Sequence, residues 1–283
     1  MNKDSSFDNI ISACRSNILD ILDAGKIGHA GGSLSVLETL VALYFEIAKI
    51  NPKDPKWEDR DRIVLSKSHA CEAMYAVLGE KGFFPKAKFK EFLQFNSMLQ
   101  GHVEICTPGA EYSGGSLGQG ISFACGLAYS ARLKKKDYKV FCILGDGECH
   151  EGEVWEAAMF ASHYKLDNLY VIVDYNHYCT LGDVDEIMNL KPLFCQQEPH
   201  HAVRHQPRSH QVVGPSRLGV VVRGALQRED RLGKGGDARH HNREHASRGT
   251  GPAQHLLQAR WFVGREGGSR AIPSWPGAFR VRR

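Results

Sequence analysis

Several things are scarce in this 283-residue chain. A bilayer-crossing helix needs about 18 uninterrupted apolar residues. The best stretch, 34–50, carries Glu38, Glu46 and Lys49, so no membrane is expected as a partner. Residues 1–12 are polar and acidic, where a secretory signal is basic and then apolar. The eight cysteines include no C-x-x-C pair, so neither a thiol redox motif nor a disulfide framework is indicated. Scattered thiols suit a reducing compartment, and a cytoplasmic location is expected. No internal repeat is visible. An apolar fraction of 42% excludes bulk disorder and provides for a sizeable core.

The scarcities are unevenly spread. Residues 1–194 contain 20 basic and 26 acidic side chains, with only 4 Arg among the basic ones. Residues 195–283 contain 16 basic and 6 acidic side chains, with a single Lys, no Tyr, one Ile and 8 of the 14 His. The net charge of +4 therefore averages two unlike pieces, which are treated as separate segments, 1–194 and 195–283.

In the first segment, helical spacing of apolar residues is expected over 9–24, ending at Gly25, and over 33–49, with Ser33 as N-cap. Asn51-Pro52 opens a polar loop. A short strand is expected at 62–65, and helices at 70–81, 86–95, 121–135 and 153–165. Glycine-rich 101–120 reads as loop. Residues 139–144 (K-V-F-C-I-L) and 169–174 (L-Y-V-I-V-D) are apolar almost throughout. Such strands are covered on both faces, which predicts an α/β fold, a parallel sheet with helices on both faces.

The strand–helix–strand unit from 139 to 174 carries the chemistry. Its first strand runs into Gly145-Asp146-Gly147-Glu148 and its second into Asp174-Tyr175-Asn176. A right-handed crossover delivers both strand ends to one edge of the sheet, where ligands of open α/β sheets bind. A carboxylate oxygen and an amide oxygen form a partial site for a hard cation such as Mg²⁺, which takes further oxygens from a phosphate ligand. Gly147 removes a side chain where a phosphate would approach. On these residues alone, a capped strand end with a structural Asp and Asn remains an alternative.

The run G-D-G-E-C-H-E-G-E-V-W-E to L-Y-V-I-V-D-Y-N resembles the thiamine diphosphate motif, which opens with G-D-G and closes about 30 residues later with Asn. Within that superfamily the chain resembles transketolases, specifically the N-terminal subunit of the split, two-chain form. G-H-A-G-G-S-L-S (28–35), D-R-I-V-L-S-K-S-H-A (61–70) and the glycine-rich run 100–120 support the resemblance, as does D-E-I-M-N-L-K-P-L (185–193). It covers residues 8–193.

The resemblance implies a cofactor, thiamine diphosphate, and a metal, Mg²⁺ (or Ca²⁺ or Mn²⁺), held by Asp146, Asn176 and the carbonyl of Tyr178. It implies that the Gly147 amide faces the diphosphate and that Gly115 and Leu117 line the cofactor ring. Glu151 matches a carboxylate at the subunit interface. His29, His69 and His102 would line the sugar channel as catalytic residues, His69 also approaching the diphosphate. Each of these histidines taken singly fits a structural role as well. The implied activity is transfer of a two-carbon ketol unit from a ketose phosphate to an aldose phosphate. It requires a partner, the C-terminal transketolase subunit carrying the pyrimidine-binding domain, in a two-plus-two assembly. Ala30 and His150 depart from the family's pattern.

From 195 onward the resemblance stops. The abrupt compositional change reads as a reading-frame shift or a chimeric gene. Two other readings are nucleic-acid binding by the arginines and metal binding by His200-His201 with His205 or His240-His241 with His245. No aromatic residues interleave with the arginines, so nucleic acid is not the expected partner. The competing functions for the whole chain are another thiamine diphosphate enzyme, of the deoxyxylulose phosphate synthase kind, and a non-catalytic remnant of a damaged gene.

Overall fold

The computed structural model describes residues 3–190 and three short strands at 220–223, 259–262 and 279–282. Two helices lead, α1 (Lys3–Gly25) and α2 (Ala30–Ala42), the latter running into a π-type turn at Leu43–Ile47. Strand β1 (Arg62–Leu65) and helix α3 (Cys71–Lys81) follow, then a 3₁₀ turn at Lys86–Glu91. The second half comprises α4 (Gln119–Leu133), β2 (Val140–Gly145), a 3₁₀ turn at Gly147–His150, α5 (Gly152–His163) and β3 (Leu169–Tyr175). A small antiparallel pair, β4 (Tyr178–Cys179) and β5 (Gly182–Asp183), precedes the one-turn helix α6 (Val184–Ile187).

Strands β1, β2 and β3 are parallel neighbours, with Leu65 opposite Ile143 and Gly145 opposite Asp174. Alternation of side chains across the strands splits the core. Ile63, Leu65, Phe141, Ile143 and Ile172 pack on the side of α1, α2 and α3. Val64, Val140, Cys142, Leu144, Val171 and Val173 pack on the side of α4 and α5. This two-sided burial accounts for the unbroken apolar runs. Helix α4 lies close because its inner face is small: Ala124, Ala128 and Ala131 are buried, and a Cβ on Gly120 would strike Ser66.

The helix expected over 86–95 is only the 3₁₀ turn at Lys86–Glu91, and two further expectations change. Helix α1 begins at residue 3, six residues before the predicted start, its polar first turns continuing the same helix. Ser33 is not the N-cap of α2. His29 holds that position, and Ser33 lies inside the helix with its hydroxyl donated to Glu72 on α3. The same carboxylate also accepts the backbone N–H of His29, so Glu72 ties the start of α2 to α3. Ala30 is then the first helical residue, where proline is favoured because that N–H has no helical partner.

The second segment is not wholly without strands. Val220–Arg223 forms β6, parallel to β3, giving the order β1-β2-β3-β6. Three valines suit a strand laid against an edge that would otherwise present unpaired backbone groups. Ala259–Phe262 (β7) and Phe279–Arg282 (β8) pair in parallel with each other. The frame-shift expectation and the clustered histidines of 200–245 fall outside the described residues. Among the described residues, 30–47 has the length and hydropathy of a membrane span. Its Val36, Leu37, Leu40, Val41 and Leu43 are fully buried in the core.

Candidate cofactor and sugar site

The C-terminal edge of the sheet gathers the residues that the sequence singled out. Asp146 follows β2 directly and is 1% exposed. Its Oδ1 accepts from the Gly147 N–H at 2.9 Å and its Oδ2 from the His177 N–H at 2.6 Å. The second bond ties the tip of β2 to the turn after β3, where Asn176 sits. That turn is tight: His177 has φ +69°, a region that non-glycine residues seldom occupy. The Asn176 Oδ1 accepts from the Tyr178 N–H at 3.0 Å. Burial pushes the Asp146 carboxyl up, and the Gly147 and His177 amides hold it back.

Among the described residues, no group of three or more His, Cys, Asp or Glu is arranged to hold a metal. A cation at the strand tips therefore depends on mixed oxygen donors. Asp146 and Asn176 fit that role: both offer only hard oxygens to the site, and each accepted N–H leaves a lone pair free. Beside Gly147 the space is already filled, since a Cβ there would lie 2.6 Å from the Cys179 Cβ. The packing of β4 thus requires this glycine, whatever ligand its amide faces. Gly115, by contrast, opens on free space, Leu117 is half-buried and Glu151 is exposed at the N-cap of α5. Gly118 (φ +84°) brings the glycine-rich run against Glu151, where a Cβ would lie 2.8 Å from the glutamate's own.

The three histidines meet although 73 residues of chain span them. The His29 ring centroid lies 5.4 Å from that of His69 and 5.9 Å from that of His102. His29 is held by its N–H donated to Glu72 Oε1 at 2.9 Å. His102 is held by its carbonyl, which accepts from the Tyr75 hydroxyl at 2.9 Å. Burial, with the Lys67, His29 and His102 charges around it, lowers His69 to about 4. His69 is therefore neutral at physiological pH and can accept a proton or share a neutral N–H. Between pH about 6.5 and about 4 the unfolded chain binds this proton and the native state does not. The stability His69 confers is thus complete above pH 6.5 and declines as pH falls towards 4. Urea midpoints across that range should fall less steeply in His69→Gln than in the parent, and equal slopes would contradict the buried neutral imidazole.

Sequence reasoning missed the floor of this site. Lys67, 1% exposed, donates to Asp174 Oδ2 at 2.6 Å and to the Gly32 carbonyl at 3.2 Å. Glu148, 2% exposed, accepts from the Ser66 hydroxyl at 2.5 Å and from the Gly118 and Gly145 N–H groups at 2.9 Å each. One signal was available: each of these charges abuts an apolar strand, and charges placed there must be paired. His150, the unexplained departure, bonds the Met188 carbonyl through Nε2 at 2.9 Å. A cavity of about 290 Å³ lined by Trp57, Asp61 and Lys136 lies at the opposite edge of the sheet, remote from this chemistry.

The family model for the transketolase thiamine diphosphate-binding domain matches residues 6–192. The chain belongs to this family. An apulose-4-phosphate transketolase subunit of Phocaeicola vulgatus is 43% identical over 179 residues, covering 63% of this chain and 64% of that protein. A 6-deoxy-6-sulfo-D-fructose transketolase subunit of a Clostridium species is 44% identical, covering 62% and 65%. The chain thus spans just under two thirds of the length of these relatives. Among solved structures, the Campylobacter jejuni transketolase superposes with a TM-score of 0.63 at 33% identity, covering 68% of this chain and 31% of that one. The Leishmania mexicana transketolase gives 0.61 at 34% identity, covering 68% and 29%. The strand tips that bear Asp146 and Asn176 lie within the matched span.

Proposed function

We propose that this chain is the cofactor-binding subunit of a two-chain transketolase that moves a ketol unit between sugar phosphates in the cytoplasm. The observation that carries the reading is the bond from the His177 N–H to Asp146, which sets the tip of β2 against the turn that bears Asn176, inside the span that the family model matches. Asp146, Asn176 and the Tyr178 carbonyl would hold Mg²⁺, and His69 would face the diphosphate, as would the Gly147 amide once its N–H turns from Asp146 Oδ1, to which it donates at 2.9 Å. Gly115 and Leu117 border the cofactor ring. When bound, thiamine diphosphate supplies the nucleophilic carbanion and the electron sink that this chemistry needs. His29, His69 and His102 orient the sugar hydroxyls, and the neutral His69 imidazole takes or returns a proton at the sugar oxygen.

The partner is a protein bearing the pyrimidine-binding domain. Both bacterial relatives are named as transketolase subunits, which supports a two-chain assembly. So does the apolar surface on α4 and α5, where Phe123 (39%), Trp155 (47%) and Met159 (58%) are exposed. The two relatives are named for different sugars, so donor and acceptor assays with the co-expressed partner should span both kinds. Residues 195–283 are foreign to the family in this reading, in keeping with a match that ends at 192. Translating the neighbouring frames of the gene should restore transketolase-like sequence, and its absence there would remove the frame-shift explanation.

Thermal unfolding with thiamine diphosphate and MgCl₂ tests the core of the proposal. At about 100 times Kd a ligand adds about 2.7 kcal/mol, a rise of roughly 5–10 °C for a domain of this size. The rise should require both components and vanish in Asp146→Ala. A parent chain that shows no rise would instead be the non-catalytic remnant.

A further inference from the structure

Beneath the strand tips runs a buried chain of hydrogen bonds with a defined direction. The Lys67 Nζ donates to Asp174 Oδ2 at 2.6 Å. The Ser35 hydroxyl donates to the same oxygen at 2.5 Å. The Asn176 Nδ2 then donates to Ser35 Oγ at 3.3 Å. Lys67, Asp174 and Ser35 are all buried, and they come from three separate elements: the turn after β1, the end of β3 and the middle of α2.

The direction matters because a hydroxyl has one proton. Ser35 has two acceptors for that proton, the Asp174 carboxylate at 2.5 Å and, at 3.1 Å, the Gly32 carbonyl, and both lie away from Asn176. Towards Asn176 it can therefore only accept. The Asn176 amide must turn its NH₂ inward to Ser35 and its oxygen outward, where Oδ1 also accepts the Tyr178 N–H. Rotating the amide by half a turn would set oxygen against a hydroxyl with no proton to give, and NH₂ against the Tyr178 N–H. Both contacts would become repulsive.

We propose that Ser35 is a positioning residue that fixes the Asn176 amide with its oxygen towards the cation, through the Lys67–Asp174–Ser35 chain. This deepens the proposed function and rests on its metal site. Groups that orient a metal ligand from behind typically contribute a factor of 10–100 in metal affinity. Ser35→Ala removes the inner of the two contacts that fix the amide and leaves the Tyr178 N–H as the other, while Ser35→Thr keeps the hydroxyl and its single proton.

The test is a magnesium titration at saturating thiamine diphosphate, followed by tryptophan fluorescence on the full chain. Folding of each variant is checked by circular dichroism. Ser35→Ala should raise the magnesium midpoint roughly 10–100-fold, and Ser35→Thr should restore it to within about 3-fold of the parent. A folded Ser35→Ala with an unchanged midpoint overturns the proposal, as does a Thr variant as weak as Ala. A parent without any magnesium-dependent signal overturns the metal site itself, which is a distinguishable result. Should Ser35→Ala fail to fold, the crystal structure of the parent with Mg²⁺ and thiamine diphosphate decides. Asn176 Oδ1 on the ion with Nδ2 on Ser35 supports the inference, and an Asn176 amide out of reach of Ser35 overturns it.

Discussion

Lys67→Met is expected to lower the stability of this domain by about 3–5 kcal/mol, the usual consequence of stranding one member of a buried ion pair. Both side chains of the Lys67–Asp174 pair are only 2% exposed. One Asp174 oxygen accepts from Lys67 and Ser35, and the other has no hydrogen-bond partner among the described residues. Removal of the ammonium leaves a buried charge that the Ser35 hydroxyl alone cannot balance. Since a domain's total stability is about 5–15 kcal/mol, the loss would reach much of it, with a fall in Tm of roughly 6–20 °C. The double variant Lys67→Met with Asp174→Asn should recover most of the loss, because no charge is then stranded. Urea unfolding of the four chains checks this, and additive single and double effects would contradict a coupled pair.

Glu148→Ala should follow closely, at about 3 kcal/mol. Three donors converge on this buried carboxylate: the Ser66 hydroxyl and the Gly118 and Gly145 amides. Each donor left unsatisfied forfeits about 1–3 kcal/mol, less whatever an entering water returns. The three bonds tie the tip of β1, the glycine-rich run and the tip of β2 together. Loosening should therefore concentrate in 101–118, where limited proteolysis would cut sooner than in the parent. Glu148→Gln should fall between the two, since its single oxygen cannot serve both groups of donors. Cleavage rates equal to the parent's would show that the run is held by other contacts.

Much of this architecture was legible in advance because the two central strands are apolar at nearly every position, and only coverage on both faces explains that. The 30-residue spacing of Asp146 and Asn176 around one helix placed both at the same sheet edge, as found. Helix ends were less legible. Ser33 has the chemistry of a cap, yet its hydroxyl serves Glu72 within the helix. Nor does local pattern mark as a strand Val220–Arg223, which finds its pairing only at the edge of β3.

By itself the sequence determined the layered α/β plan and the identity of the strand-tip residues, because hydrophobic period and motif spacing are local quantities along the chain. It also carried the family resemblance that the comparisons bear out. The tertiary structure alone decided which distant groups share a proton or a charge. It brought His29, His69 and His102 to one place and set Lys67 on Asp174 across 107 residues. The physical reason is that pairing of buried polar groups depends on three-dimensional proximity in a low-dielectric interior, which no one-dimensional pattern encodes.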